Sequence, residues 1–496
     1  MTHGSLSPLA VRRLIVLVFS LGLIFAPLRN MAQHASAQPI TRGAALRLAT
    51  RTPRPTRTPA VTLTPTSTAT ATATLPPMVT TGPVVGGVAS TSAVVFVRVS
   101  AAAAVQIQYS TDPNFSSEVF TTPGIEAVAD SDFTAQMPLS ELLPNTAYYY
   151  RILINNEVQT LPVQPHFTTF PSPDNVLDEF RFVVFSDANL LDQPSAVYQT
   201  AANDQPAFVM QIGDFDHRNP GVLPNPAVID NWRVMHRDML HDSAAGADFA
   251  TYIGSAHPFF HMWDDHDYGA NNADYRASWK GMALQAFKEY YPLPTLPNPE
   301  GGLWHSFRNA QAEVFMLDLR SQRSPDDASD GPDHSMLDAQ HISNGQKDWL
   351  KASLLASTAK WKFVVSTSVW NPHSKQVDSW YQFQTEQQEL VQFIHDNNIT
   401  GVVILSGDLH SNGGIDNGAN SYFPEVSVPL QSHKAEQGCT GGLCGDWSEG
   451  IISDMTQPGY ALITVRHDAA TGADSAILQA KGEGGSVRIS YTVTLP

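Results

Sequence analysis

Cysteine is nearly absent. Cys439 and Cys444 are the only two in 496 residues, too few for a disulfide-built scaffold and a poor zinc site by themselves. Outside the cytoplasm, the pair in Gly438-Cys439-Thr440-Gly441-Gly442-Leu443-Cys444 predicts one small disulfide loop. Basic side chains are scarce as well. Lysine and arginine total 29 against 47 acids, and residues 1–57 hold eight of the arginines and no acid, so the rest of the chain sets 21 cations against 47 anions. A body that acidic repels nucleic-acid backbones, so no nucleic-acid binding is expected and a phosphate substrate must be drawn in by local cations. Long apolar runs are missing too. The one candidate, 14–28, is shorter than the about 20 residues that span a bilayer. Flanked by Arg12-Arg13 and Ala35-Ser36-Ala37, it reads as a cleavable signal over 1–37, with an uncleaved anchor as the alternative. The paired arginines fit twin-arginine export and the strong apolar run fits the general secretory route. Either way the protein is expected to be exported, secreted or held at the cell envelope, with no span in its mature form.

From Ala49 to Pro83 almost everything except Thr, Pro, Ala and Ser is lacking, so residues 38–82 cannot bury a core and read as an extended linker. Alternation then appears at 93–99, 105–109 and 148–152, with turn signals such as Asp112-Pro113-Asn114 between, and predicts a β-sandwich over 83–172. The segment 143–150, Leu-Pro-Asn-Thr-Ala-Tyr-Tyr-Tyr, resembles the tyrosine corner of fibronectin type III domains. Beyond Pro171-Ser172-Pro173, helical spacing at 346–355 and 386–395 alternates with strands at 361–365 and 401–405, the pattern of a largely parallel α/β sheet in a domain spanning 178–496. Strand signals at 461–465, 475–478 and 487–493 predict a second sheet packed on the first.

What the chain does have is acid and imidazole packed together. Trp263-Asp264-Asp265-His266-Asp267-Tyr268-Gly269 sets three carboxylates and an imidazole side by side, which is unfavourable unless a cation gathers the charge. Three further polar clusters each follow an apolar strand-like run: Ser186-Asp187-Ala188-Asn189, Gly213-Asp214-Phe215-Asp216-His217 and Ser406-Gly407-Asp408-Leu409-His410. Strand ends opening into one crevice are how α/β proteins gather ligands. Arg320 and Arg323, after the apolar run 314–317, offer planar forks to phosphate oxygens or pair with Asp326, Asp327 and Asp330. Asn271 offers an amide to a substrate or serves a turn, and His305 is a candidate substrate contact; the histidines outside the clusters read as structural.

On these residues the chain from about Thr81 onward resembles the PhoD-type alkaline phosphatase and phosphodiesterase family, a branch of the calcineurin-like metallophosphoesterases. The most specific segments are 263–269, Leu317-Asp318-Leu319-Arg320-Ser321-Gln322-Arg323, and 406–410. The resemblance implies a four-layer α/β/β/α core with two or more metal ions, and hydrolysis of phosphate mono- or diesters by a metal-bound hydroxide. It places Asp214 as the bridging ligand, Asp187 and His217 on first-metal positions where members often have cysteine and tyrosine, Asp265 on a bridging-site position where the wider superfamily has asparagine, His266 on the acid or transition-state-stabilising histidine, and Asp408 and His410 on the last ligand pair. Asp264 or Asp267 would orient His266. No histidine stands in 363–368, where the wider superfamily has a ligand. The expected first site is therefore Asp187, Asp214, His217 and His410, holding iron, zinc or manganese, and the second is Asp214, Asp265 and Asp408, holding calcium, magnesium or manganese. The competing reading is a non-catalytic surface protein that keeps the fold.

Overall fold

The structure, a computed structural model, describes residues 75–189, 196–411, 413–432, 444–452 and 458–495. The expected signal, most of the linker, and Cys439 lie outside the described residues.

Alternating burial organises the β-rich N-terminal region. Val79–Gly86, Ala93–Val99 and Thr134–Leu139 form one antiparallel sheet, and Ala103–Ser110 with Ala147–Ile154 centre another. Val95, Val97, Ile107, Tyr150 and Ile152 from the two sheets meet in one apolar cluster. The first strand starts at Val79, ahead of the expected boundary at 83, because Gly82 and Pro83 interrupt the alternation. Proline cannot donate to a ladder, and the strand register shifts there, on an edge strand that tolerates it. The Tyr148 hydroxyl accepts the Leu143 N–H at 2.9 Å, a bond of the tyrosine-corner kind. Arg233 joins this region to the next, donating to Glu289 at 2.8 Å and to the Asp130 carbonyl at 2.5 Å.

In the larger region Glu179–Phe185, Phe208–Ile212 and Phe259–Met262 run parallel. On the other side of Glu179–Phe185 come Gly459–His467, Asp474–Gly482 and Val487–Thr494, all antiparallel. As expected, the C-terminal strands lie in a different sheet from Trp361–Ser366 and Val402–Ser406 and pack against it, but that sheet also takes in Glu179–Phe185, Phe208–Ile212 and Phe259–Met262, which the sequence did not assign to it. Periodicity reports that a strand exists, whereas its neighbour, here Phe180 opposite Val465, is chosen by long-range packing. The second sheet runs His305–Asn309, Ala312–Met316, Trp361–Ser366, Val402–Ser406, Pro424–Ser427, Gly414–Asn417, Gly450–Ile451. Its successive residues face opposite ways. Val314, Phe363, Val365 and Leu405 join the core of the first sheet, where Phe363 meets Phe182 edge-on at 5.0 Å. Phe315, Val364 and Ile404 pack with Leu350 and Leu354 of helix Gln346–Ala356 and with Leu390 and Ile394 of helix Gln384–Asp396. Two sheets thus share a face, and the carboxyl ends of their parallel strands come together.

Candidate metal centre

Left-handed backbone aims the side chains at those strand ends. Asp187, Asp214, Asp408 and His410 have φ of 55°, 44°, 59° and 54°. Aspartate and histidine tolerate this region better than most residues, yet each such position stores roughly 1–3 kcal/mol unless its surroundings fix it. Two glycines let the strand ends close up. A Cβ on Gly213 would lie 2.6 Å from the Asp264 Cβ, and one on Gly407 would lie 2.4 Å from the Ser186 hydroxyl and 2.8 Å from the Thr367 carbonyl.

Asp187, Asp214, His217 and His410 each present one ligand atom, all within 4.8 Å of one another. His217 Nδ1 donates to the Ala188 carbonyl at 2.7 Å, which fixes its tautomer and leaves Nε2 facing Asp214 Oδ2 at 3.2 Å. His410 Nε2 lies 3.5 Å from Asp187 Oδ1 and 3.6 Å from Asp408 Oδ1. Among the described residues, the buried atoms Asp187 Oδ1, Asp214 Oδ2, His217 Nε2 and His410 Nε2 face only one another and Asp408, with no well-formed hydrogen bond to any other group. Two carboxylate oxygens and two imidazole nitrogens converging in a protein interior are a donor set that a cation satisfies, so these residues fit a metal ion. The electrostatics agree. Burial raises the carboxyls of Asp187 and Asp214, with Asp265 pushing Asp214 further up. Burial would lower the His217 imidazole, but Asp214 and Asp187 outweigh it and hold it well above its ordinary value. The cluster demands positive charge. His410 goes the other way, held down at about 3 by burial, Lys375 and His217, so it stays neutral and able to ligate.

The turn 264–269 divides its acids by task. Asp267 accepts the backbone N–H groups of Phe215 at 3.0 Å, Asp216 at 3.3 Å and Asp264 at 3.2 Å, a structural cap. Asp264 is gripped by Arg320 through Nε and Nη2, both at 2.6 Å, and by the Thr367 hydroxyl at 2.6 Å. Both acids expected to orient His266 are therefore committed elsewhere. Asp265 accepts the N–H groups of His266 at 2.8 Å and Asn272 at 2.6 Å. Burial would raise its carboxyl, but Arg320 and His266 hold it down at about 2. The His266 ring lies 4.5 Å from that of His217.

The expected second trio, Asp214, Asp265 and Asp408, does not converge as a unit among the described residues. Asp214 instead groups with Asp265 and His266, and separately with Asp264 and Asp408. Arg320 Nη2 stands 3.9 Å from Asp265 and 3.5 Å from Asp408, a cation shared by the two acids. Arg320 is 0% exposed and also binds Asp378 at 2.5 Å; Arg323, equally buried, pairs with Asp378 and Asp326. Neither guanidinium presents an open face to a substrate. Sequence reasoning missed Asp378 and Lys375, whose ammonium bonds Asp408. The signal was there, since residues 371–378 follow Trp361–Ser366 just as the four clusters follow their strands, but Lys375 and Asp378 lie beyond 363–368, where a ligand was expected. His305 is buried with Nδ1 on the Leu303 carbonyl at 2.7 Å, again not a surface for substrate. Asn271 is exposed beside Asn272, its amide donating to that side chain at 2.5 Å. Cys444 is buried and disulfide-bonded.

A sequence profile described as PhoD-like phosphatase matches residues 182–428, and one described as PhoD-like phosphatase, N-terminal domain, matches 65–171. Alkaline phosphatase D of Bacillus subtilis (strain 168) is 25% identical over 316 residues, which cover 54% of this chain and 52% of that protein, so the match spans about half the relative's length. The solved structure of PhoD superposes with a TM-score of 0.64 at 19% identity, covering 82% of this chain and 89% of that one, a likeness of fold.

Proposed function

Because the chain belongs to the PhoD-like phosphatase family, we propose that it is an exported, metal-dependent phosphatase that hydrolyses phosphate mono- or diesters. The observation that carries the reading is the convergence of Asp187, Asp214, His217 and His410 with their inward atoms turned to one another and to Asp408. These four would hold a transition ion, iron, zinc or manganese, in a mixed oxygen and nitrogen set. Asp214 also reaches the oxygen-rich neighbourhood of Asp265 and Asp408, suited to calcium, magnesium or manganese. When bound, such ions lower the pKa of water and neutralise phosphate charge. In this reading the two sheets are the inner layers of an α/β/β/α core and the N-terminal strands a fibronectin-like sandwich.

The chain's own side chains do the rest. The His266 backbone N–H donates to Asp265 at 2.8 Å and to Asp214 at 3.3 Å, which fixes the imidazole's starting point beside the ligands. In this reading the ring would hand a proton to the departing oxygen. Arg320 is reassigned from substrate contact to positioning: it immobilises Asp264 and holds Asp408 Oδ2, leaving Oδ1 turned toward His410. Six carboxylates, Asp187, Asp214, Asp264, Asp265, Asp378 and Asp408, face three permanent cations, Arg320, Arg323 and Lys375. The carboxylates of the centre outnumber its permanent cations, so an anionic substrate would be repelled unless metal cations are bound.

The test is hydrolysis of a chromogenic phosphate monoester and diester with and without chelator. Activity abolished by chelator and restored by metal is expected; inactivity under every metal supply would favour the non-catalytic surface protein.

A further inference from the structure

Among the described side chains of the centre, two are markedly more exposed than the rest. Lys375 is 25% exposed and His410 22%, while Asp187, Asp214, Asp264, Asp265 and Asp408 are each 6% or less. Of these side chains, solvent therefore reaches an imidazole and an ammonium most.

The three cations of the centre are not equivalent. Arg320 and Arg323 are fully buried, and their ion-pair partners are all carboxylates of the centre or of its supporting loop. Lys375 bonds Asp408 Oδ2 and stands 3.8 Å from Asp378 Oδ2, its only ion-pair partners among the described residues. An ammonium has three donors, so this one keeps donor capacity beyond these two pairs. Its position is also held from behind. Asn371 Nδ2 donates to the Asp446 carbonyl at 2.8 Å, and the Ser374 hydroxyl to the Cys444 carbonyl at 2.6 Å. Gly445, at φ 78°, lies so close that a Cβ would meet the His373 carbonyl at 2.2 Å. The lysine is fastened to a segment anchored by the disulfide-bonded Cys444.

We propose that Lys375 is a specificity-determining residue that sorts phosphate esters by charge, its ammonium receiving the second negative charge that a monoester dianion carries and a diester lacks. This rests on the phosphoesterase reading above. A point charge, unlike a bidentate fork, accepts the extra oxygen without prescribing the shape of the esterified group.

The experiment compares wild type with Lys375→Gln and Lys375→Arg at equal, measured metal content. The readouts are kcat/KM for p-nitrophenyl phosphate and bis(p-nitrophenyl) phosphate, and competitive inhibition by inorganic phosphate. Lys375→Gln should lower monoester kcat/KM by roughly 10- to 100-fold, the worth of one charge-assisted hydrogen bond, and weaken phosphate inhibition in parallel, with a loss below about 3-fold on the diester. Lys375→Arg should keep the ratio of the two esters within about 3-fold of wild type, because it keeps the charge. Equal losses on both esters would overturn the proposal, as would loss of metal from Lys375→Gln, which would make the lysine a prop for Asp408. Wild-type protein inactive on both esters at every metal supply would sink the phosphoesterase reading itself; an active wild type with an unmoved ratio sinks only the assignment of Lys375.

Discussion

At the scale of single residues, the centre is a set of buried charges that do not cancel one another. Arg320 shows the consequence most directly. It is fully buried among Asp264, Asp378 and Asp408, and burial opposes its charge while those acids, Asp264 first, hold it. Arg320→Met should destabilise the protein by about 3–5 kcal/mol, because it leaves carboxylates uncompensated in the interior. Thermal unfolding measures this; a change under about 1 kcal/mol would mean the acids find other partners. His266 separates two roles by a different observable. As a proton donor, His266→Ala lowers turnover by roughly 10²- to 10⁴-fold on esters with poor leaving groups, much less on nitrophenyl esters, with metal content intact. Because His266 also groups with Asp214 and Asp265, elemental analysis of the variant decides whether it is a ligand instead.

Elements matter where two chain segments touch. Gly407 lies between the sheets, so Gly407→Ala forces a methyl against the Ser186 hydroxyl and the carbonyls of Thr367 and Ile212. Overpacking of this kind costs typically about 1–3 kcal/mol. Because Asp408 is the next residue, weakened metal retention against a chelator titration should accompany the loss of stability; unchanged retention would show that the strand ends can part without disturbing the ligands. The disulfide-bonded Cys444 supports residues 371–375 through Ser374 and Trp447, whose indole donates to the Cys444 carbonyl at 2.8 Å. Cys444→Ser should therefore impair monoester hydrolysis more than it lowers the melting temperature, since a short loop adds little unfolded-state entropy. A fall in melting temperature with activity unchanged would contradict this.

The whole molecule carries its polar burdens in the core, and pH reveals them. His305 is fully buried and held at about 4 by burial, although its bond to the Leu303 carbonyl works against the shift. The unfolded chain takes up this proton near pH 6.5, the folded protein only near 4. The stabilising effect of the neutral ring is thus complete above pH 6.5 and declines as the pH falls toward 4. Relative to His305→Gln, wild type should lose about 1.4 kcal/mol per pH unit across that window. Denaturant unfolding at pH 7, 6 and 5 checks it; parallel curves for the two proteins would mean the ring protonates in place. His261, held at about 3 by burial, adds to the same acid sensitivity.

Local sequence determined a good deal of this. Helices at Gln346–Ala356 and Gln384–Asp396 and the strands before each polar cluster follow from periodicity and from apolar runs that must be buried. The clusters themselves were legible because acids and imidazoles crowd together only where something repays the repulsion. What the sequence left open is partnership. That Gly459–His467 pairs with Glu179–Phe185 is decided by packing between segments far apart in the chain. So is the division of labour among neighbouring acids, with Asp264 bound to Arg320, Asp265 turned to His266, and Asp267 spent on backbone caps. Arg320 and His305 read as candidate substrate contacts, because such polar residue types are usually accessible, and only the tertiary structure buries them. Lys375 escaped notice for the same reason: its significance lies in the carboxylate that the fold sets beside it.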